Sequence, residues 1–444
     1  MTIVTKGTVI VAPPTYHSVV GAMTDAPTGC PVRDDWSPLG PAYLADPYPI
    51  ARRLADETPI FFDPALGCVV VSRRADIDAV FVDHETFASS NVQDPIVGLS
   101  ADAASVLAAS DFDPVAVMSN RAEPDHGRIR VHTSAGFSNR RLATMAPFIR
   151  SRTEELVGDF LAAGSPTEIV GALAFPLPGE TVFRFIGFPP EDDDLLKAWC
   201  QDRKLFSWGL PSPTEQVDLA GHMVAYWRYC RDFVAQRRRS PADDFTSELL
   251  AVHAEDPTEL SYREVESIVY GLSFAGHEAV TALLCNTLVC LLRHREQWEA
   301  VCNDPSLAPA AVEEVLRYES SQISWRRVTT RTTVLNGVEL APGTPILLNF
   351  AAANRQPDLF EDAEHFDITR PDARRHISFG KGVHYCLGAR LARMEATIVL
   401  EVLTQRAPTL RLPAQDITWS PNITFRGPRR LVVAWSTTGE GTVR

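Results

Sequence analysis

Cys386 is the residue whose type and setting point most clearly to chemistry. Gly380 and Gly382 lie shortly before it and let the backbone turn tightly and approach a flat partner. After the cysteine, apolar side chains recur at helical spacing over residues 389–407, with no proline or glycine between them. We therefore expect Cys386 just before a helix N-terminus, where exposed N–H groups and the helix dipole favour a thiolate over a thiol. A thiolate held in this way is a strong metal ligand.

The residues around Cys386 follow the pattern Phe-Gly-x-Gly-x-x-x-Cys-x-Gly, from Phe379 to Gly388. This pattern resembles the haem-binding signature of the cytochromes P450. The resemblance implies that Cys386 ligates the iron of haem b (iron protoporphyrin IX), and that Phe379, Gly380 and Gly388 belong to the cofactor-binding loop. A thiolate ligand pushes electron density toward the iron and favours O–O cleavage. The alternative for a lone cysteine is a buried, inert side chain in a helical protein without haem.

Composition limits the classes of partner and compartment. The chain has 444 residues, of which 45% are hydrophobic, and a formal net charge of −14. The acidic balance argues against nucleic acid as a partner. Eight cysteines are scattered without a CxxC pair, which indicates a reducing, cytoplasmic environment. There is no secretory signal and no apolar run of about 18 residues, so we expect no membrane span.

The periodic segments predict a mainly α-helical fold with a small β region, and the resemblance implies the cytochrome P450 fold. We expect an N-terminal arm over residues 1–40, a haem domain over residues 41–435, and a C-terminal tail or linker over residues 436–444. Two hairpins are predicted, one over residues 59–72 and one at the Asn336-Gly337 turn.

A long helix is predicted from Tyr262 to about Leu292, because nothing in that stretch terminates it. At 1.5 Å per residue it is roughly 45 Å long. Gly276 and Glu278 are unusual in a helix that is apolar enough to be buried, since a buried acid needs a partner or a role. Together with Ala275 they resemble the oxygen-binding segment of the family, Ala-Gly-x-Asp/Glu-Thr. The resemblance implies that Glu278 delivers protons and that Ala275 and Gly276 border the oxygen pocket.

The match fails at Ala279, where the family usually has a threonine whose hydroxyl helps to deliver protons. Thr281 lies two residues further, about 200° around the helix axis, and does not replace it. Three readings stay open. Water or a substrate hydroxyl fills the gap, the enzyme uses peroxide, or Ala279 and Val280 are engineered substitutions.

Four side chains are candidates to bind the two haem propionates. His126 and Arg130 are four apart in a segment that begins as a helix, so both can donate to one carboxylate. This pair resembles the propionate clamp of the family, and Arg327 and His376 match further propionate ligands by position. Arg326 is the alternative to Arg327, and an ordinary charged helix face is the alternative to the clamp.

Glu314 and Arg317 are three apart on a short predicted helix. An isolated pair of this kind is usually a solvated surface bridge. Here it resembles the Glu-x-x-Arg motif of the family, and Arg370 resembles the third member. The resemblance implies a buried ion-pair set beneath the haem.

A local basic cluster, formed by Lys381, Arg390 and Arg393, surrounds the cysteine loop of this acidic protein. It could bind an acidic electron donor, a reductase or ferredoxin, or simply be solvated. The chain resembles the haem portion of bacterial self-sufficient P450s, in which a reductase with FMN and an iron–sulfur cluster follows. That C-terminal reductase is missing from this sequence.

The resemblance implies a monooxygenase that inserts one oxygen atom into a small organic substrate, by hydroxylation, epoxidation or O-dealkylation. Aromatic residues such as Phe206 and Trp208 favour an apolar, aromatic substrate, and residues 84–120, Ile323 and Ser324 are expected near it by resemblance. The co-substrate is O2, or H2O2 if the protein is a peroxygenase. A haem sensor or carrier without turnover is the alternative from a different class.

Overall fold

The structure is a computed structural model that describes residues 23–436. Residues 1–22 and 437–444 lie outside this range, and with them most of the expected N-terminal arm and almost all of the expected C-terminal tail. The domain boundaries at residues 40/41 and 435/436 therefore stay predictions.

Helices form most of the described chain, which confirms the predicted mainly helical fold. They are α1 (Pro41–Ala45), α2 (Pro47–Glu57), α3 (Arg74–Val82), α4 (Ala101–Ala108), α5 (Asp125–Gly136), α6 (Asn139–Ala162), α7 (Pro176–Ile186), α8 (Asp193–Trp208), α9 (Pro213–Arg239), α10 (Phe245–Glu255), α11 (Tyr262–Ala275), α12 (Glu278–Arg293), α13 (Arg295–Asn303), α14 (Ala308–Tyr318) and α15 (Ala389–Arg406). A single π-helical turn, Val170–Ala174, precedes α7.

The β region is small, as expected. Its strands are β1 (Ile60–Asp63), β2 (Cys68–Val71), β3 (Phe87–Ala88), β4 (Thr167–Glu168), β5 (Ser324–Thr329), β6 (Thr333–Leu335), β7 (Val338–Leu340), β8 (Pro345–Asn349) and β9 (Val432–Val433). One sheet has the order β1-β2-β8-β5-β3, with β2 and β8 parallel and the other neighbours antiparallel. Strands β4 and β9 form one two-stranded sheet, and β6 and β7 form another.

Both predicted hairpins are confirmed. Strands β1 and β2 pair antiparallel, from Ile60 opposite Val71 to Asp63 opposite Cys68. Strands β6 and β7 pair across the Asn336-Gly337 turn, where both residues have positive φ as a two-residue hairpin turn requires. The segment before this hairpin is itself a strand, β5, and it places Arg326 and Arg327 in the five-stranded sheet.

The expectation of one unbroken helix from Tyr262 to Leu292 is wrong. The chain leaves the helix at Gly276 and His277 and begins α12 at Glu278. At Gly276 a Cβ atom would lie 2.6 Å from Cγ2 of Val182 in α7, so only glycine allows the two helices to approach so closely. The side chain of His277 is fully buried, and its Nε2 lies 2.9 Å from the carbonyl oxygen of Phe175. These contacts come from distant parts of the chain.

Helices α11 and α12 run through the largest hydrophobic cluster of the protein. Within residues 23–436, the one segment long and apolar enough to cross a membrane is Tyr262–Arg293, and 83% of its most apolar stretch is buried inside the protein. Its apolar composition is therefore explained by its place in the core.

Candidate functional site

The cysteine loop has the tight backbone that its glycines predict. Gly380 and Gly382 have φ of +70° and +75°, in the left-handed region that favours glycine. A Cβ at Gly382 would also lie 2.7 Å from the backbone oxygen of Phe81. The N–H of Cys386 donates to the carbonyl oxygen of Phe379 at 2.9 Å, which closes the loop.

The thiol of Cys386 lies three residues before the start of α15, as expected. The side chain of Cys386 is exposed, yet the protein atoms packed around it raise the pKa of its thiol. A side chain that is both accessible and surrounded by protein atoms lies in the wall of a recess. The N–H groups of Gly388 and Ala389 and the charge of Arg130 lower the pKa, as the helix N-terminus predicts, but burial outweighs them. The protein alone therefore favours the thiol, and a bound metal ion would replace its proton.

Three of the four predicted propionate-binding residues lie near one another beside the cysteine loop. They surround a fourth side chain, His384, which was not predicted. The rings of His126 and His384 are 4.1 Å apart between centroids. Burial, with the charges of His126 and Arg327, lowers the pKa of His384 to about 3. Arg130 donates from Nη2 to the carbonyl oxygen of Tyr385, at 2.5 Å. The structure thus brings His126, Arg130 and Arg327 together around His384, which lies two residues before Cys386.

Two nitrogen atoms of this group are buried without a hydrogen-bond partner. They are Nε2 of His126 and Nε of Arg327. Arg327 is 1% exposed, and burial lowers its pKa to about 10. Its Nη1 donates to the carbonyl oxygen of Arg326 at 2.7 Å. A buried guanidinium with an unused N–H fits an anionic ligand, because burying an unpaired charge is costly. The residues present therefore fit the propionates of a haem.

The structure places His376 elsewhere. Its Nε2 lies 3.2 Å from Oε2 of Glu313, and its Nδ1 accepts the N–H of Ser378 at 3.1 Å. Both ring nitrogens thus have protein partners, and the charged neighbours of His376 are Glu313, Arg393 and Arg74 rather than Arg327. The ring of His384, rather than that of His376, lies beside His126, while the role of His376 toward a propionate stays a prediction. Sequence reasoning missed His384. Its position in the cysteine loop, two residues before Cys386, was the signal that could have identified it.

Ala275, Gly276 and Ala279 lie at the break between α11 and α12. Ala275 is exposed and Ala279 is half-buried, although both lie in the middle of the protein's most apolar segment. These two small side chains therefore border open space. Gly276 faces Val182 instead, so its lack of a side chain serves helix packing rather than the approach of a flat ligand.

Glu278 is 4% exposed and bonded to Lys204 of α8 through Oε2, while Oε1 is buried without a partner. This ion pair explains how the acid can be buried, and sequence reasoning did not find Lys204. Thr281 donates its hydroxyl to the carbonyl oxygen of His277 at 3.1 Å. The hydroxyl of Thr281 is thus bonded within its own helix, and the expectation that it does not replace a threonine at position 279 stays a prediction.

The predicted buried ion-pair set is present. Glu314 and Arg317 are fully buried, and both oxygens of Glu314 lie 2.7 Å from Arg317 nitrogens. Arg370 lies 3.3 Å from the same carboxylate. Arg317 also donates to the carbonyl oxygens of Asn354, Ala363 and His365, so the set joins α14 to the chain that leads to the cysteine loop.

The three cations of the predicted basic cluster are not free. Lys381 lies 3.0 Å from Asp78, and Arg390 donates to the side-chain oxygen of Asn139 at 2.9 Å. Arg393 lies 2.6 Å from Glu313. Although burial opposes ionisation, hydrogen bonds from His376 and Arg393 lower the pKa of Glu313 to about 2.

A cavity of about 530 Å³ opens beside this cluster. Its lining includes Arg74, Asp78, Arg375, Lys381, Gly382 and Tyr385. Three cations and one carboxylate thus line a depression next to the cysteine loop. Arg74 is buried and paired with Asp78, and Arg375 is exposed and lies 3.6 Å from Asp372.

Comparisons with known proteins identify the class. The sequence profile of the family "Cytochrome P450" matches residues 197–407. The chain is 34% identical to the mycinamicin IV hydroxylase/epoxidase of Micromonospora griseorubida, over 70% of this chain and 78% of that protein. The fold is also that of solved P450 structures. Cytochrome P450 CREJ, in complex with (4-ethylphenyl) dihydrogen phosphate, has a TM-score of 0.86 and 36% identity, covering 90% of this chain and 99% of that one.

An intact type IV self-sufficient cytochrome P450 monooxygenase has a TM-score of 0.88 and 35% identity, covering 93% of this chain and 55% of that one. The protein is a mainly helical oxygenase of the P450 fold. The chain belongs to the cytochrome P450 family and is a P450 monooxygenase. Membership implies a haem cofactor, an organic substrate, O2 and a redox partner.

Proposed function

We propose that the protein binds haem b through Cys386 and holds the propionates with His126, Arg130, Arg327 and His384. The observation that carries this assignment is the pair of buried, unpartnered nitrogens of His126 and Arg327 beside an accessible cysteine. When bound, haem supplies an iron that binds and activates dioxygen. The chain then has to orient the substrate, exclude water and supply protons.

Proton supply is assigned to Glu278. Its carboxylate stands at the start of α12, next to Ala279, and lines a cavity with Lys204. Its buried Oε1 has no hydrogen-bond partner in the protein, so it can accept a hydrogen bond from a water molecule that reaches it. With no hydroxyl at Ala279, a water or a substrate hydroxyl has to complete the path.

The substrate is proposed to be a small, apolar and aromatic molecule that undergoes hydroxylation, epoxidation or O-dealkylation. The ring of Trp208 stacks on Phe274 at 5.1 Å and meets Phe425 edge-on at 5.4 Å. Phe274 directly precedes Ala275 of the proposed oxygen pocket. The relative CREJ was solved with an alkylphenyl phosphate, which agrees with an aromatic ligand.

For electron supply we propose an acidic reductase or ferredoxin, which binds the basic surface beside the cysteine loop. Arg375 and Lys381 provide the exposed positive charge there, and each also has a carboxylate neighbour, Asp372 and Asp78. In the type IV self-sufficient relative this chain matches about half of the protein, which supports a reductase that is fused in some relatives. A cytoplasmic location is proposed with this partner.

The second candidate is a peroxygenase, favoured by Ala279 and by the hydroxyl of Thr281 being bonded to His277. Haem-loaded protein should be assayed with one set of aromatic substrates, once with a reductase, ferredoxin and NAD(P)H, and once with H2O2. Product from the reductase system, with most electrons recovered in product, supports the monooxygenase. Product from peroxide alone supports the second candidate, and no product from either source supports a haem sensor or carrier.

The haem assignment is tested by Arg327→Met. Because the unpaired charge is lost, the haem-free protein should be no less stable, whereas haem should be retained about tenfold less tightly, since a charge-assisted hydrogen bond is lost. Arg331→Met, in an exposed position of the loop after the same strand, is the control. Equal haem transfer rates to apomyoglobin for both variants would contradict the assignment.

A further inference from the structure

Glu395 is a buried acidic residue that neither the proposed haem site nor the proposed proton supply uses. It lies on α15, nine residues after Cys386, and is 1% exposed. Its Oε1 is buried without a hydrogen-bond partner, and within residues 23–436 no cation pairs with it. An ionised carboxylate in such a place loses its hydration and gains nothing in return. Burial therefore favours the neutral, protonated form of this acid.

The polar neighbour of Glu395 is Thr181 of α7, which is fully buried. Burial raises the pKa of Glu395 to about 8, although the hydroxyl of Thr181 opposes this effect. Carboxylates that stay ionised in a protein interior typically accept two or three N–H groups or face a cation. A single hydroxyl is too little to stabilise a charge in this part of the core.

Glu313 of α14 shows what a stabilised buried carboxylate looks like in the same protein. Its two oxygens are bonded to Arg393 and His376, and its pKa is lowered to about 2. Glu395 has no such donors, because the charged groups on the helices around it pair with one another. These pairs are Arg150 with Glu401, Arg152 with Glu180, Lys204 with Glu278, Arg317 with Glu314, and Arg393 with Glu313.

Glu395 and Thr181 connect the two regions that border the proposed haem site. Helix α15 begins directly after the cysteine loop. Thr181 precedes Val182, the residue whose side chain faces Gly276 at the helix break. A charge on Glu395 would have to be hydrated, and the water that reaches it would have to separate α15 from α7. Loss of the proton would therefore loosen the helix that follows the cysteine loop.

We propose that Glu395 is a neutral carboxylic acid in the folded protein and acts as an alkaline-sensitive switch, whose ionisation weakens the contact of α15 with α7 and thereby the retention of haem. The effect on haem rests on the proposed function, whereas the charge state of Glu395 does not. In the unfolded chain the carboxyl has its ordinary pKa of 4.5. The stability that the bound proton gives is complete below about pH 4.5 and is lost as the pH rises toward 8.

Infrared spectroscopy of haem-loaded protein tests the charge state. At pH 7 the C=O band of a protonated carboxyl should be present, should be lost in Glu395→Gln, and should be kept in Glu401→Gln. Glu401 is the matched control, a half-buried glutamate on the same helix that is paired with Arg150. The pKa values of Asp94 and Asp193 are raised only to about 6, so their bands have largely disappeared at pH 7.

The unsubstituted protein supplies a test that needs no variant. Its carboxyl band should persist past pH 7 and disappear near pH 8. Absence of the band at pH 7, or a band that Glu395→Gln does not remove, would overturn the proposal.

Urea unfolding of the haem-loaded proteins at pH 5 and pH 8 tests the consequence for stability. A glutamine has the shape of the neutral acid but cannot ionise. Between these two pH values the apparent folding constant of Glu395→Gln should therefore gain about a hundredfold relative to the unsubstituted protein. Glu401→Gln should show no such gain. An equal pH dependence in all three proteins would overturn the proposal.

Haem transfer to apomyoglobin measures the switch itself. Transfer from the unsubstituted protein should be about tenfold faster at pH 9 than at pH 6.5, and Glu395→Gln should remove most of this difference. Equal acceleration in both proteins would overturn the switch. The proposed function fails separately: a carboxyl band that depends on Glu395, in a protein whose haem is not bound through Cys386, refutes the haem assignment and keeps the charge state.

Discussion

The cysteine loop and the helix break at Gly276 are built from contacts of different range. In the loop, two glycines with positive φ and one hydrogen bond from Cys386 to Phe379 define the backbone. At the break, His277 is bonded to Phe175, 102 residues away, and Glu278 to Lys204, 74 residues away. The turn of the loop is therefore favoured by its own glycines and then held by distant residues such as Phe81 and Arg130, whereas the break has its determinants mainly in distant packing.

The largest effect is expected at the loop. Cys386→Ala should abolish both monooxygenase activity and the red-shifted absorption band of the reduced, CO-bound protein, because no other residue supplies the thiolate. Circular dichroism should show an unchanged fold, since the side chain is exposed. Cys302→Ala, a partly buried cysteine far along the chain, is the control and should retain both properties. A normal spectrum in Cys386→Ala would show that the loop does not bind the iron.

The next largest effect is on stability, in the ion-pair set that supports the loop. Arg317→Ala should lower the free energy of unfolding by about 3–5 kcal/mol, because it leaves the buried carboxylate of Glu314 without its main partner. Arg52→Ala removes an exposed arginine that also pairs with a carboxylate and should cost about 0–1 kcal/mol. Urea unfolding of both variants measures the difference, and similar values would mean that the buried set does not stabilise the loop.

A backbone test at the loop should give a smaller effect. Gly382→Ala should cost about 2 kcal/mol, because φ is +75° and the new Cβ would contact the backbone of Phe81. Gly221→Ala, inside α9 with open space around it, should instead stabilise the protein by about 0.5–1 kcal/mol. The opposite signs can be read from thermal unfolding, and a neutral Gly382→Ala would show that the loop tolerates other backbones.

A corresponding test at the break is His277→Phe. It keeps an aromatic ring but leaves the carbonyl oxygen of Phe175 without its donor, at a cost of about 1–2 kcal/mol. The pH dependence of turnover should change as well, because His277 and the carboxylate of Glu278 interact electrostatically: burial lowers the pKa of His277, and the charge of Glu278 opposes this larger effect. His222→Phe, at an exposed histidine, should change neither stability nor pH profile. An unchanged pH profile in His277→Phe would mean that the helix break has no part in proton supply.

The smallest effect at neutral pH concerns acid stability. The pKa of Glu313 is lowered from 4.5 to about 2 in the folded protein. Its stabilising contribution is therefore complete above about pH 4.5 and is lost as the pH falls toward 2. Glu313→Gln should flatten the stability profile in this window, which urea unfolding at several pH values can follow. An unchanged slope would mean that His376 and Arg393 do not hold this carboxylate.

Sequence reasoning succeeded where the determining contacts are local. The Cys386 loop, the start of α15 and the Asn336-Gly337 turn each follow from the conformations that glycine and helix termini favour. The set of Glu314, Arg317 and Arg370 was found through its resemblance to the family, since an i,i+3 pair alone does not reveal burial.

It failed where the partner lies far along the chain. Glycine weakens a helix at position 271 as much as at position 276, but Gly271 stays helical, so propensity alone does not place the break; the contact with Val182 distinguishes Gly276. Lys204 cannot be assigned to Glu278 without the packing of α8 on α12. His376 and His384 are both near Cys386 in sequence, and the sequence gives no sign that the ring of His376 lies 3.2 Å from the carboxylate of Glu313.

The break gives α12 a beginning of its own in the interior of the protein. A continuous helix would bond the N–H groups of residues 278–280 to the preceding turn, but a new helix leaves its first amides without intrahelical acceptors. The first N–H groups of this 16-residue helix lie next to the last carbonyl groups of α11, which ends at Ala275. Unpaired backbone donors and acceptors thus meet in the interior of the protein, and they do so because Gly276 has no side chain.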